Sequence, residues 1–426
     1  MSKQSFKPKK VLLTQARLNN YAGSEIAILE LAEYFSSIGA QVWVLTHYYG
    51  GPIQDDFSQL SDVEVVRTTE ERAKVLQDID FDLIWIQHNV LTPELIRALQ
   101  KGISRPKIVY SHLSFVEPLE LPIMIDAELQ IGDVFTFNSN ETYKNITDEG
   151  FVFPKDNVFV LGNPAPDSFF INKEQKRGRP GRLAIVSNHP PQELIDASKI
   201  LEDQGVVVDF YGKVKQGKQL RITRELLEGY DAVVSIGKTV QYCMAMQKPI
   251  YIYDRFGGPG FLGLKNFGES QDKNFSGRGY EQKTSEDIAM EITDTFEEAC
   301  YEMVDIYETY ADSIRFSSVM KKLFIYLEKA AQKRESISKK NEASYVEYQK
   351  LMKSILPVNS RYIYQINDVE NKFSECRKEL SQANKHIKYL KAEIARHELV
   401  DGWLSVRLER KARKIAGKVK RKLIKS

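Results

Sequence analysis

The sequence predicts an α/β protein in which two successive parallel-sheet domains precede an α-helical tail. Three observations carry this. Short apolar runs alternate with segments whose apolar residues recur at helical spacing, once over residues 1–163 and again over residues 164–330. Most of these runs end in polar residues or glycine, as strands do at the ligand-binding carboxyl edge of a parallel sheet. The breaker-rich Gly162-Asn163-Pro164-Ala165-Pro166 separates the two series, and from Thr284 onward helical pattern dominates.

Composition agrees. A chain of 426 residues with 42% hydrophobic content can fill two ordinary cores, and a net charge of +2 provides no global field for nucleic acid. The three cysteines, Cys243, Cys300 and Cys376, are far apart and lack metal-ligand spacing, which suits a reducing cytosol. The start MSKQSFKPKK leads into an apolar run too short for a secretory signal, and no stretch of about 18 apolar residues occurs, so the chain is expected neither to cross nor to leave the membrane. The sequons at Asn140 and Asn145 are therefore expected to be chance matches.

In the first series, Lys10 to Gln15 is a strand, Ser24 to Ile38 a helix and Gln41 to Thr46 a strand. Gly23, Ser24 and Glu25 open the helix at the carboxyl edge of the first strand. Gly23 would let a substrate group approach the helix N-terminus, and Ser24 equally suits a plain N-cap. Strands at Leu83–Gln87, Lys107–Tyr110 and Val134–Asn138 end in Gln87-His88-Asn89, Ser111-His112 and Asn138-Ser139. A lone loop histidine is more often structural than catalytic. Two at successive strand ends, His88 and His112, form a catalytic candidate set with Glu117, because imidazole can act as base or donor near neutral pH.

In the second series, strands at Leu183–Val186, Val206–Tyr211 and Ala232–Val234 end at Ser187-Asn188-His189, Gly212-Lys213 and Gly237-Lys238-Thr239. Gly237 admits an anion to the backbone, Lys238 adds charge and Thr239 a hydroxyl, so the tripeptide reads as a diphosphate cradle. Taken alone it fits an ordinary strand-to-helix turn better. The turn Asp254-Arg255-Phe256-Gly257-Gly258-Pro259-Gly260 at the same edge shifts the balance. Lys213 and His189 join the donor set, Lys213 being equally readable as a solvated side chain.

Val186-Ser187-Asn188-His189-Pro190, Gly237 to Tyr242 with Tyr253 to Gly260, and Asn274-Phe275-Ser276-Gly277-Arg278-Gly279 resemble motifs of GT-B glycosyltransferases. The resemblance is nearest to glycosyltransferase family 4, in the subgroup that builds bacterial surface polysaccharides, and spans roughly residues 8–330. It implies two Rossmann-like domains facing a cleft, with a nucleotide-diphospho-sugar in the second and an acceptor hydroxyl against the first. Val234 and Tyr242 stand where the family usually carries two donor-domain glutamates, which leaves ribose chelation and stereochemistry open. Gln241 or Tyr242 can hydrogen-bond in their stead or simply pack. Asp254, Arg255 and Arg278 complete the donor candidates, with Gly257 and Gly258; each charge also fits a structural ion pair. No Asp-x-Asp pair lies near this site, so no metal cofactor is expected.

Residues 331–358 read as a helical linker. From Ile366 through Val369, Phe373, Cys376, Leu380, Ala383, Ile387 and Leu390 to Ile394, apolar residues alternate spacings of three and four, which predicts a coiled coil over 359–400 and a homodimer. A single amphipathic helix lying on the catalytic body is the other reading. Residues 401–426 form a basic amphipathic helix opened by Trp403, with Leu404, Leu408, Ala412, Ile415, Val419 and Leu423 on one side. Such a helix suits an anionic membrane surface on the inner face of the cell membrane. Together these features predict a cytoplasmic, peripherally bound hexosyl- or deoxyhexosyltransferase, rhamnosyl transfer included, acting on a lipid-linked or polysaccharide acceptor. The alternatives are a non-catalytic GT-B partner subunit and a membrane-bound coiled-coil scaffold.

Overall fold

The structure, a computed structural model, describes residues 6–101, 105–171, 178–212, 220–330, 337–397 and 402–425. The first sheet holds β1 (Lys10–Leu18), β2 (Gln41–Tyr49), β3 (Val63–Arg67), β4 (Leu83–Ile86), β5 (Lys107–His112), β6 (Val134–Phe137) and β7 (Val158–Val160). They lie parallel in the order β3-β2-β1-β4-β5-β6-β7, with Val11 opposite both Val42 and Leu83. The central strands are buried on both faces, which is why they read as unbroken apolar runs. The second sheet holds β8 (Arg182–Val186), β9 (Val207–Tyr211), β10 (Ala232–Ser235), β11 (Ile250–Asp254) and β12 (Gly257–Phe261), in the order β12-β11-β10-β8-β9.

The expected cleft turn after β11 is instead a hairpin, because β12 pairs antiparallel with β11. Gly257 has φ 112°, and a side-chain carbon on Gly258 would overlap Ile252 O, so these glycines serve close backbone packing.

Packing also moves the domain boundary. The helix Phe316–Lys329 places Phe316, Met320, Leu323, Phe324 and Leu327 in the core of the first domain with Leu29, Phe35, Val44 and Trp85. The second domain's packing therefore ends near Ile314 rather than at residue 330. Where the chain recrosses, Ala165 N–H donates to Ile314 O at 2.8 Å and Phe316 N–H donates to Ala165 O at 2.9 Å, so the two crossings pair as a short ladder.

The segment expected to be a linker is docked. Residues Lys339–His397 form one helix that continues through Pro357, and its first turns bury Tyr345, Tyr348 and Gln349. Residues 354–426 make a separate unit that contains the rest of this helix and the helix Gly402–Lys425. Of the expected coiled-coil seam, Ala383, Ile387 and Leu390 turn away from solvent while Lys385, Lys388 and Tyr389 are exposed. The side chains of Ile366, Val369, Phe373, Cys376, Leu380 and Ile394 lie outside the described residues. In the last helix Ala412 is buried and Leu408 and Ile415 are half-buried, whereas Arg410, Lys411, Arg413, Lys414, Lys418, Lys420 and Arg421 are exposed. The Trp403 side chain lies outside the described residues. No described helix is long and apolar enough to cross a membrane.

Candidate functional site

The carboxyl ends of β1, β4, β5 and β6 and of β8, β10 and β11 carry the residues that the sequence singled out. On the second domain, the helix Lys238–Ala245 starts behind Gly237, whose φ 60° and ψ −129° suit glycine. A side chain there would meet nothing nearer than Asn274 Nδ2 at 3.9 Å, so glycine is required by the backbone and not by crowding.

Lys238 does not face solvent. Its Nζ lies 2.5 Å from Glu30 Oε2 and donates to Pro164 O at 3.2 Å. Tyr242 donates its hydroxyl to Glu30 Oε1 and stacks on Phe169 at 4.3 Å. Thr239 and Gln241 are buried in the same helix. Burial raises the Glu30 carboxyl above its ordinary range, against the pull of Lys238 and Tyr242.

Two further cations of the second domain find carboxylates of the first. Arg278 Nε reaches Glu141 at 2.9 and 3.0 Å, a second arm of its guanidinium also binds Glu141, and the group lies 5.4 Å over the Phe115 ring. Arg221 holds Glu33 at 2.6 and 2.7 Å and Asp56 at 3.1 Å, and Tyr21 donates to Asp56 at 2.8 Å. Glu30, Glu33, Glu141 and Arg221 were not among the sequence candidates. The one available signal was Glu30 itself, a carboxylate inside the apolar run Ile28-Leu29-Glu30-Leu31-Ala32.

Asp254 is a structural residue. It accepts from Phe256 N–H at 2.8 Å and Gly277 N–H at 3.1 Å, tying the hairpin to the following loop. Arg255 is exposed and lies on the Phe256 ring. His189 is exposed on the loop after β8, where its N–H donates to Ser187 Oγ at 3.2 Å. Lys213 lies outside the described residues.

On the first domain, Ala22 and not Ser24 is the N-cap of the helix Gly23–Ser37. Ser24 Oγ accepts from Gln15 Nε2 at 3.1 Å, and Glu25 accepts from Asn20 N–H at 2.6 Å, folding the loop before the helix. Glu25 is thus buried structure rather than an open acceptor contact. A cavity of about 20 Å³ remains between this edge and the second domain, lined in part by Trp85, Gln87, Ser111, Asn163 and Lys238.

The two histidines do come together, but in a sealed network. His88 and His112 are 7% and 3% exposed. His88 Nδ1 accepts from Ala16 N–H at 3.4 Å, and its Nε2 meets Glu120 Oε1 at 2.8 Å. His112 Nδ1 donates to Glu120 O at 2.9 Å while Nε2 lies 3.2 Å from Glu128 Oε2. Burial alone would lower His112, but the Glu128 carboxylate overrides it and holds the imidazole above its ordinary value. Burial likewise opposes ionisation of Glu120, and His88 overrides it to bring that carboxyl below its usual range.

The docked helix covers this network. Tyr345 donates to Asn89 Oδ1 at 2.8 Å and meets Tyr110 Oη at 2.9 Å, Gln349 Nε2 donates to Asn89 O at 2.7 Å, and Tyr348 donates to His88 O at 3.3 Å. Glu117 is exposed; Glu120, three residues on, is the carboxylate that joins the histidines. As placed, His88 and His112 organise the edge from beneath and present no open imidazole to the cleft. Among the described residues no group of three or more His, Cys, Asp or Glu side chains is placed to hold a metal ion.

No protein-family model matches the chain, and no curated protein matches it. Among solved structures, that of TarM is similar with a TM-score of 0.50 at 11% identity, over 75% of this chain and 98% of that one. A mutant of S. aureus TarM in complex with fondaparinux, alpha-GlcNAc-glycerol and UDP gives 0.49 at 10% identity, over 75% and 99% of the two chains. A glycosyltransferase from Rickettsia africae gives 0.44 at 13% identity, over 76% and 99%. With two Rossmann-like domains, a paired crossover between them and a helical C-terminal region, the chain has the GT-B fold.

Proposed function

We propose that this protein is a glycosyltransferase, of the family 4 type, that moves a hexosyl or deoxyhexosyl group from a nucleotide-diphospho-sugar to a lipid-linked or polysaccharide acceptor in bacterial surface-polysaccharide synthesis. The observation that carries the reading is the GT-B arrangement itself, with the Lys238 helix N-terminus and the Gly23 helix N-terminus both rising from carboxyl strand ends. The donor diphosphate sits at Gly237, Lys238 and Thr239, beside His189. There the helix N–H groups and the Lys238 ammonium offset charge on the departing diphosphate, and closure of the domains excludes water. No divalent metal takes part in this scheme, so activity should survive chelation by EDTA.

The exposed basic face of the helix Gly402–Lys425 supports attachment to anionic membrane, where a lipid-linked acceptor would lie. The alternating three and four spacing of apolar residues from Ile366 to Ile394 supports self-association through the preceding helix. Vesicle flotation and sedimentation of chains ending before residues 402 and 359 test these two points separately. Unchanged vesicle binding sinks the first, and an unchanged dimer sinks the second.

A non-catalytic GT-B subunit is the second reading. It is favoured by the capture of Lys238 by Glu30 and the burial of both histidines. Calorimetry with UDP-, dTDP- and GDP-sugars, on wild type and Lys238→Ala, separates the two. Binding of one nucleotide class that weakens in the variant, followed by turnover, supports the enzyme. Absence of binding across the panel overturns it.

A further inference from the structure

The Lys238 residue faces two ways. Its backbone opens the helix at the proposed diphosphate cradle, while its side chain turns back to Glu30 and Pro164 O and is 13% exposed. A lysine is a point charge on a flexible four-carbon stem, able to reach an anion at its own helix N-terminus as readily as a carboxylate across the cleft. Glu30 has no such freedom. It is buried on the first domain's helix Gly23–Ser37.

We propose that Glu30 is a positioning residue that competes with the donor diphosphate for the Lys238 ammonium and takes up a proton from solvent when the ammonium leaves it. This rests on the donor reading given above. The charge balance requires the proton: a buried carboxylate left without its cation is strongly disfavoured, and protonation removes that penalty. The ammonium stays protonated throughout and only changes partner, and the incoming proton ends on a Glu30 carboxyl oxygen.

The surroundings of Glu30 agree. Among the described residues, it meets Lys238 and the Tyr242 hydroxyl from the facing helix, and from the crossover Pro164 O lies against the same ammonium. On its own helix Glu33 adds negative charge that Arg221 largely neutralises. Burial already holds this carboxyl above its ordinary range with Lys238 in place, so removal of that cation moves it further up.

Calorimetry with UDP and with inorganic pyrophosphate, each in two buffers of different ionisation enthalpy, counts the protons taken up. Wild type should absorb up to about one proton per ligand, and its Kd should rise by up to about tenfold per pH unit. Glu30→Gln meets the same ligand ionisation, so the difference between the proteins isolates Glu30. The variant should show a flatter pH profile and tighter binding at the alkaline end. Binding to wild type with proton uptake equal to that of Glu30→Gln overturns the inference and leaves the donor reading standing. Failure of wild type to bind either probe overturns both. Should Glu30→Gln not fold, Tyr242→Phe removes a hydrogen bond that pulls Glu30 down, so an unchanged proton count in that variant is the refuting result.

Discussion

Removing one oxygen from Tyr345 should loosen the cover over the first domain. The ring is fully buried, and its hydroxyl meets Asn89 Oδ1 at 2.8 Å and Tyr110 Oη at 2.9 Å. Tyr345→Phe keeps the packing but strips a partner from each of these two groups. A buried polar group left unsatisfied costs about 1–3 kcal/mol, so the two together predict a loss of about 2–6 kcal/mol. Trp43 and Trp85 are buried in the first sheet, so urea unfolding followed by tryptophan fluorescence reports on the right domain. At a denaturant slope of about 2–3 kcal/mol/M the midpoint should fall by about 1–2 M. In a double-mutant cycle with Asn89→Ala, the two changes should be non-additive by about 1 kcal/mol or more. A loss below about 0.5 kcal/mol with additive changes would refute the docking of the Lys339–His397 helix on this edge.

Three other expectations follow from the same contacts. Because His112 is held above its ordinary value, its contribution to stability is complete below the ordinary histidine range and is lost as pH rises through the folded value; the lowered Glu120 contributes above the ordinary carboxyl range and is lost as pH falls. Unfolding midpoints measured against pH should decline on both sides, and His112→Gln should flatten chiefly the alkaline limb, with a smaller change on the acid limb because the His112 charge also lowers Glu120. Gly258→Ala would drive a methyl into Ile252 O, so the second domain should lose about 3 kcal/mol or more in thermal unfolding, and a wild-type midpoint would refute the hairpin packing. Arg278→Ala releases a part-exposed bidentate partner of Glu141 and should cost about 1–2 kcal/mol, diminishing at high salt; a salt-independent cost would assign the effect to the Phe115 contact.

The strands that sequence pattern revealed most plainly are those buried on both faces, such as β1 and β10, which read as unbroken apolar runs. Two strands escaped it for opposite reasons. β3, VEVVR, is a short edge strand, half exposed and interrupted by Glu64, so its apolar content is diluted. β12, GGPGF, has almost no strand propensity and reads as a turn, yet it pairs because its glycines allow close backbone approach. The division between a helical linker over 331–358 and a coiled coil over 359–400 has no counterpart in the backbone, because one helix, Lys339–His397, continues through Pro357.

The site was legible by position and not by partnership. Polar strand ends correctly marked the carboxyl edges, because that rule depends only on where each strand stops. Whether a charge at such an edge is open to a ligand depends on residues from the other domain. Glu141 lies 137 residues from Arg278, Glu33 lies 188 from Arg221, and Glu30 lies 212 from Tyr242. No local spacing contains those pairings. They also change the chemistry expected of the cleft, since Lys238 and Arg278, which read as a welcome for phosphate, and Arg221, which the sequence did not single out, are already paired with carboxylates of the facing domain. A ligand gains from them only the difference between its own attraction and the bond it displaces. For Arg221 and Arg278, whose pairs are partly solvated, that difference favours domain contact over ligand capture. For Lys238 the displaced carboxylate is buried and can be discharged by one proton, which makes it the one cation of the three whose exchange has a physical route.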